Sequence, residues 1–364
     1  MASLQMVAVA WLLMSCSGIG NWGTGREAAR PPAPDQAEPT VVTAPATVPL
    51  DTLTNRFGVV SVTEDAGVTT WKTPDAILRF FDGSRRLEFN GTLLWMNGAT
   101  TTNTVTNTLA QAQGTNSTTV TALQRTLAQT DVETVLLPLL PPTDPSDQTD
   151  RSDPPDHPAP FIVILDPGHG GEDPGAVVAD MPHEKTLVLD VARRVRCRLK
   201  AAGIEVRMTR SGDKTLTLAE RPDFARRRHG SVLVSIHANK APSASARGIE
   251  TFIMPAAGFP STADTVPVAE PFPGNLHDAA SLQLAYLLQR ELIDQTQTVD
   301  RGVKRARFEV LRLAPCPAAL VEIGFLSNAS ERSRLAETHY LDRLADGIAL
   351  GIRVFMLQNS RPPL

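Results

Sequence analysis

FIVILDPGHGGEDPGAV, residues 161–177, decides how the larger part of this chain is read. Phe161–Leu165 is a continuous apolar run of strand length. It ends in Asp166 and passes at once into Pro167, Gly168, His169 and Gly170. A buried strand that empties into a glycine-rich turn holding one histidine is the start of an α/β unit in which the turn does chemistry. The residues that would partner His169 have to come from elsewhere in the chain.

Downstream, strands and helices alternate. EKTLVLDVARRVRCRLKAAG is a helix with Leu187, Val191, Val195 and Leu199 at four-residue spacing and Gly203 as its C-terminal cap. IEVRMTR, SVLVSIH, GIETFIM, FEVLRLA and AALVEIGF read as strands. TLAERPDFARRR, DAASLQLAYLLQRELIDQT and the segment from ERSRLAETHY onward read as helices. Continuous apolar strands between amphipathic helices predict an α/β domain over residues 161–364, with a largely parallel, mixed sheet covered by helices on both faces.

Three polar residues fall at strand ends of this domain. His169 follows the first strand, His237 lies in SIHAN, and Glu322 lies in LVEIGF. Ligands of open α/β sheets gather outside the carboxyl ends of the strands, so these three can converge. Glu184 opens the first long helix, and its loop returns it to the same end. Two histidines and a carboxylate form a hydrolytic zinc set that leaves a fourth position for water. Such an ion lowers the pKa of that water to about 7, and a carboxylate free of the metal can take its proton. Glu184 also suits a helix N-terminus for purely electrostatic reasons. Glu322, set among Ala, Leu, Val and Ile, requires a partner or a function. Asp166 is a candidate partner for an imidazole N–H or a strand-end turn former. Asn239 and Arg312 are candidate substrate contacts.

With these blocks quoted in order, residues 161–357 resemble the zinc-dependent N-acetylmuramoyl-L-alanine amidases of type 3. ILDPGHGGEDPGA, EKTLVLDVARRV, VSIHAN and the long block ending in VEIGFLSNASERSRL are similar to the family's successive blocks. The resemblance implies one Zn2+ per chain held by His169, Glu184 and His237, with Glu322 as the catalytic carboxylate. It implies peptidoglycan as partner and hydrolysis of the amide between the lactyl group of N-acetylmuramic acid and L-alanine. A catalytically silent wall-binding or regulatory protein on the same fold is the competing reading, and a zinc hydrolase of a different amide is a third. No activator protein is legible.

The rest of the chain is organised around this domain. Met6–Met14 is an apolar core of signal-peptide length, too short to span a bilayer. LLMSC is similar to a lipobox, which would lipidate Cys16 and tether the chain through its N-terminus; cleavage as a plain secretory signal is the alternative. Either reading of residues 1–20 predicts export to the periplasm or cell envelope. Residues 21–50 are a Pro-rich tether and 141–160 a Pro/Asp-rich linker. Between them, residues 51–140 read as a small α+β domain, with hairpin turns at DGS and NGT and a flexible Thr/Asn-rich loop. VTALQRTLAQTDVETVLLPLL is expected to close it as helices. This arrangement resembles the stalk domain named after the N-terminal domain of copper amine oxidases. The net charge of -4 argues against a nucleic-acid partner. After export only Cys197 and Cys316 remain, and whether they pair is open. The stretch PAAGFPSTADTVPVAEPFPGNLHDAAS is expected to be a loop at the rim of the cleft.

Overall fold

The structure, a computed structural model, describes residues 46–109, 118–140 and 160–359. The signal segment, the lipidation candidate Cys16, the tether up to residue 45 and the linker over 141–159 lie outside the described residues. Among the described residues, no helix is long and apolar enough to cross a membrane.

The first half contributes β1 (Thr47–Pro49), α1 (Leu50–Leu53), β2 (Ser61–Asp65), β3 (Val68–Lys72), β4 (Ile77–Phe81), β5 (Arg86–Phe89), β6 (Thr92–Trp95), β7 (Thr101–Leu109) and β8 (Thr118–Ala128). Strands β2 to β6 form an antiparallel meander. The NGT signal makes its turn as read: Asn90 and Gly91 both have positive φ, +48° and +86°, which a two-residue hairpin of this twist requires. The Thr/Asn-rich stretch departs from the expectation of a flexible loop, because 101–109 and 118–128 pair as the two arms of a hairpin. Threonine is β-branched, and a run of it favours extended backbone despite its polarity. The helix expected from Val120 starts only at Gln129, as α2 (Gln129–Asp131), a π-helical turn and α3 (Leu137–Leu139).

The second half adds β9 (Ile162–Pro167), α4 (Glu184–Ala201), β10 (Glu205–Met208), α5 (Glu220–Arg227), β11 (Val232–Asn239), β12 (Ile249–Ile253), α6 (Asp278–Thr296), β13 (Asp300–Arg305), α7 (Glu309–Arg312), β14 (Ala318–Phe325), α8 (Ala329–Leu335) and α9 (Thr338–Asn359). The strand order is β10-β9-β11-β14-β12-β13, continued by β6-β5-β4-β3-β2 into one sheet of 11 strands. β10, β9, β11 and β14 are parallel; β12 runs antiparallel to β14, so the sheet is mixed. FEVLRLA is not a strand but holds the short helix α7, and the strand of that region, β13, lies just before it.

Alternation along the strands sorts the two faces. Val163 and Leu165 of β9, Val234 and Ile236 of β11, and Val321 and Ile323 of β14 join the core beneath α4, α6 and α9. Ile164, Leu233 and Leu320 face the other way and pack with residues of α5 and α7. By the same alternation Asp166, Ser235, His237, Glu322 and Glu250 lie on the α5/α7 face, toward one end of the strands.

Because β12 is antiparallel to β14, the connection after β12 leaves from the end of the sheet opposite Glu322. The stretch expected at the cleft rim is therefore placed elsewhere. Arg85 donates to the carbonyls of Ser261 and Pro260 (3.0 and 2.9 Å), and Asn97 Oδ1 accepts from Ala256 N (2.9 Å). Its last part, Pro273–His277, is a 3-10 turn leading into α6. Arg305 sits at the same seam, almost fully buried, and donates to Trp95 O (2.7 Å).

Asp278, at the start of α6, accepts from Asn275 Nδ2 (3.2 and 3.3 Å). Burial raises its pKa to about 6, against the pull of Arg305. A carboxyl that binds its proton more tightly when folded adds stability below its unfolded pKa, and that contribution is lost as pH rises through about 6. Asp278→Asn should therefore raise unfolding stability by about 1–2 kcal/mol at pH 8, after discounting for partial exposure, with the gain disappearing by about pH 4. Denaturant titrations of both proteins at the two pH values check this.

Candidate metal centre and active site

At the carboxyl end of β9 the chain turns left-handed at His169 (φ +58°), Gly170 and Gly171. That backbone is uncommon for a residue with a Cβ, and it is held from behind. Arg221 Nη2 donates to His169 O (2.9 Å), while Arg210 donates to Pro167 O (2.9 Å) and Gly168 O (2.6 Å). Both arginines are buried. Asp166 anchors the first of them: its Oδ1 accepts from Arg221 Nη1 (2.8 Å) and Thr209 Oγ1 (2.6 Å), and its Oδ2 accepts from Ser235 Oγ (2.8 Å). So, among the described residues, Asp166 bonds to no imidazole; it holds the turn that carries one.

The imidazole partner is Asp173, whose Oδ2 lies 2.6 Å from His169 Nδ1. A carboxylate only accepts, so Nδ1 carries the proton and the lone pair of Nε2 is left for a metal. Nε2 faces Glu184 Oε1 at 3.0 Å and His237 Nδ1 at 3.2 Å, and His237 Nδ1 is 3.2 Å from Glu184 Oε1. The three residues form a group that can hold a metal ion, with ligand atoms within 4.8 Å of one another. Donors bound tetrahedrally at about 2.0–2.2 Å stand about 3.3–3.6 Å apart, close to the spacing of these three nearest atoms. The donor set, two imidazoles and one carboxylate, is of the kind zinc takes.

Without an ion, the three groups act on one another's protons. Burial raises the Glu184 pKa, but the adjoining imidazoles of His169 and His237 outweigh it, and the carboxylate is held below its usual range. Glu184 also accepts from the backbone N–H of Ala176 (2.8 Å) and Ala238 (3.0 Å), which lock its orientation. For His169, burial acts downward and its bonds to Glu184 and Asp173 act upward, with a net rise. Asp173→Ala should weaken zinc affinity by about 10–100-fold without unfolding the chain, measured by competition with a chromogenic chelator.

Glu322 is the register partner of His237 across β11 and β14. The residue keeps some solvent contact, yet Oε2 is buried and has no hydrogen-bond partner among the described residues. Burial, and then the charges of Glu184 and Glu250, raise its pKa well above the usual carboxylate range. Glu250, its partner across β12, was not anticipated from sequence. Its Oε1 accepts from Asn239 Nδ2 (3.0 Å), and its Oε2 from Arg301 Nε (2.6 Å) and Lys304 Nζ (2.5 Å). Asn239 therefore orients Glu250. Arg312 is not brought to the cluster: it pairs with Glu309 (3.0 Å) and lies over Phe272, before the start of β14. Cys197 and Cys316 are both free thiols, the second buried.

The comparisons with known proteins meet this geometry. Residues 163–354 match the family model of N-acetylmuramoyl-L-alanine amidase. The N-acetylmuramoyl-L-alanine amidase LytC of Bacillus subtilis is 36% identical over 186 residues, 51% of this chain and 34% of its own length. AmiA of Escherichia coli, also an N-acetylmuramoyl-L-alanine amidase, is 31% identical over 215 residues, covering 52% of this chain and 74% of its own. Among solved structures, the catalytic domain of CwlV from Bacillus (Paenibacillus) polymyxa is 33% identical and covers 54% of this chain and 98% of its own, with a TM-score of 0.46. The chain thus spans about a third of LytC and about three quarters of AmiA. Since the matched span takes in β9 through most of α9, and with them His169, Glu184, His237 and Glu322, the chain belongs to the N-acetylmuramoyl-L-alanine amidase family.

Proposed function

We propose that this protein hydrolyses the amide between the lactyl group of N-acetylmuramic acid and L-alanine in peptidoglycan. The observation that carries the reading is Glu322, whose buried carboxylate oxygen has no hydrogen-bond partner among the described residues, one strand from the His169–Glu184–His237 group. A structural carboxylate at that depth would be paired. We assign one zinc ion to His169 Nε2, Glu184 and His237 Nδ1. Bound there, zinc supplies Lewis acidity to the scissile carbonyl and makes water nucleophilic near neutral pH.

The chain's own residues do the rest. Asp173 fixes the tautomer and orientation of His169, while Arg210 and Arg221 hold the turn that presents it. Glu322 accepts the proton of the attacking water and delivers it to the nitrogen of the departing L-alanine. Glu184, kept ionised, remains a ligand and does not compete for that proton. We further infer from the apolar run Met6–Met14 that the protein acts outside the cytoplasm, in the periplasm or cell envelope, either lipid-tethered through Cys16 or released. Mass spectrometry of the mature N-terminus separates these two forms.

The test is the purified full chain with isolated peptidoglycan, assayed for new L-alanine amino termini and for new reducing ends. Amino termini alone, abolished by chelator and restored by zinc, are expected. New reducing ends, or cleavage indifferent to chelator, would overturn the reading.

A further inference from the structure

The α5/α7 face of the sheet is not covered along its whole length. Helices α5 and α7 pack over Ile164, Leu233, Ala318 and Leu320. Beyond them, over β14, β12 and β13, the side chains of Glu322, Glu250, Arg301 and Lys304 follow one another across neighbouring strands, with Phe252 beside them. Phe308, 40% exposed, stands edge-on to Phe252 at 5.2 Å between centroids. Arg301 lies over Phe325 (4.7 Å) and Lys304 over Phe252 (5.9 Å). The strip is therefore an aromatic floor carrying two cations, with the general base at one side.

The charges do not cancel. Both cations share one carboxylate oxygen of Glu250, and Asn239 occupies the other. Glu250 thus accepts three hydrogen bonds but supplies one negative charge to two cations, and the pair keeps an excess positive charge. Arg301 uses Nε on Glu250 and Nη1 on Arg247 O (3.3 Å), which leaves Nη2 without a partner among the described residues. Lys304 spends one of its three ammonium hydrogens. Their side chains are 31% and 18% exposed, so these donors are within reach of a ligand. Glu250 acts as a positioning residue that aims two cations at the same spot.

We propose that Arg301 and Lys304 form a subsite for a free carboxylate on the peptide leaving group. This rests on the amidase reading above. The glycan side cannot supply the anion, because the lactyl carboxyl is consumed in the scissile amide and the remaining sugar groups are neutral. The distance points to the second residue of the peptide. β13 lies two strands from β14, about 10 Å. The carboxylate of the second residue stands about 7 Å from the scissile nitrogen in an extended chain, and an arginine or lysine side chain closes the remaining gap.

A matched pair of substrates tests this: N-acetylmuramoyl-L-alanyl-D-isoglutamate, with its free α-carboxylate, and the same molecule with that group as a carboxamide. Zinc-loaded full-length protein is expected to favour the carboxylate by about 10–100-fold in kcat/KM, the range of a charge-assisted hydrogen bond. In Arg301→Gln and in Lys304→Met the ratio should move toward one, and Arg301→Lys should restore part of it. Each single variant leaves Glu250 one cation and Asn239. Equal rates in the unaltered protein, or a preference untouched by both substitutions, would overturn the subsite. Calorimetry of the zinc-free protein with L-alanyl-D-isoglutamate and its amide gives a readout independent of cleavage. If neither substrate is cut but the acidic dipeptide still binds preferentially and loses that preference in Arg301→Gln, the subsite stands and the amidase reading falls. If both are cut without preference, the amidase reading stands and the subsite falls.

Discussion

Glu322→Gln is expected to lower the rate of amide cleavage by about 10²–10⁴-fold while zinc content stays at one ion per chain. The amide keeps the size and shape of the side chain and removes only its capacity to carry a proton. Because Glu322 Oε2 has no hydrogen-bond partner among the described residues, the change breaks no bond at that atom. The same variant should be more stable than the unaltered chain when both are zinc-free at neutral pH. The sign follows from the raised pKa, whose largest cause is burial, followed by the negative charges of Glu184 and Glu250. A carboxyl with a raised folded pKa contributes stability when protonated and loses it as pH rises through that value. Gln removes the charged form altogether, so its advantage should be present at pH 7–8 and shrink as the solution is acidified. Activity lost while stability is gained identifies a group kept for chemistry. Activity within a few-fold of the unaltered protein would remove Glu322 from the mechanism and assign the proton transfer to another group.

The four central residues were legible because each sits where local pattern and topology coincide. His169 and His237 end apolar strands, Glu184 begins an amphipathic helix, and Glu322 interrupts a strand that is otherwise apolar. What escaped the sequence reading is what register alone decides. Glu250 is opposed to Glu322 only because β12 turns antiparallel, and no spacing announces that. β13, DRGVKR, lacks an apolar run, so neither the strand nor its Arg301 and Lys304 stood out. Asp173 reaches His169 through a turn that closes on itself, with Gly170 and Asp173 bonded backbone to backbone. Asp166, nearer the strand, was the more visible carboxylate, yet it faces Thr209, Arg221 and Ser235. The same limit explains FEVLRLA: five apolar residues in seven fit a strand and a short helix alike, and α7 is settled by its packing on the face of β14.

Gly168→Ala should lower zinc affinity by at least about 100-fold, and activity with it, although the substitution adds one methyl group and touches no ligand chemically. A Cβ built on Gly168 would lie 2.2 Å from His237 Cε1 and 2.4 Å from Nε2, deep inside van der Waals contact. His237 sits on β11 between strands on both sides, so its backbone cannot retreat, and the ring must rotate away from Glu184 and His169. Gly175 guards the opposite wall: at φ +68° its Cβ would lie 2.6 Å from Glu184 Oε2 and 2.7 Å from His169 Cδ2. Gly175→Ala should therefore act in the same direction through the other two ligands. Gly203→Ala supplies the comparison. Its φ of +78° imposes similar backbone strain, but none of the described residues lies within 4 Å of the added carbon. It should cost about 1–2 kcal/mol of stability and leave zinc affinity unchanged. Zinc titrations of the three variants, read beside their unfolding curves, separate the two effects. If Gly168→Ala bound zinc as tightly as the unaltered chain, His237 would not be a ligand. The glycines around His169 would then serve only the turn. Loss of metal at Gly168 and Gly175, with retention at Gly203, would mean that they are there to leave room for three side chains to meet at one ion.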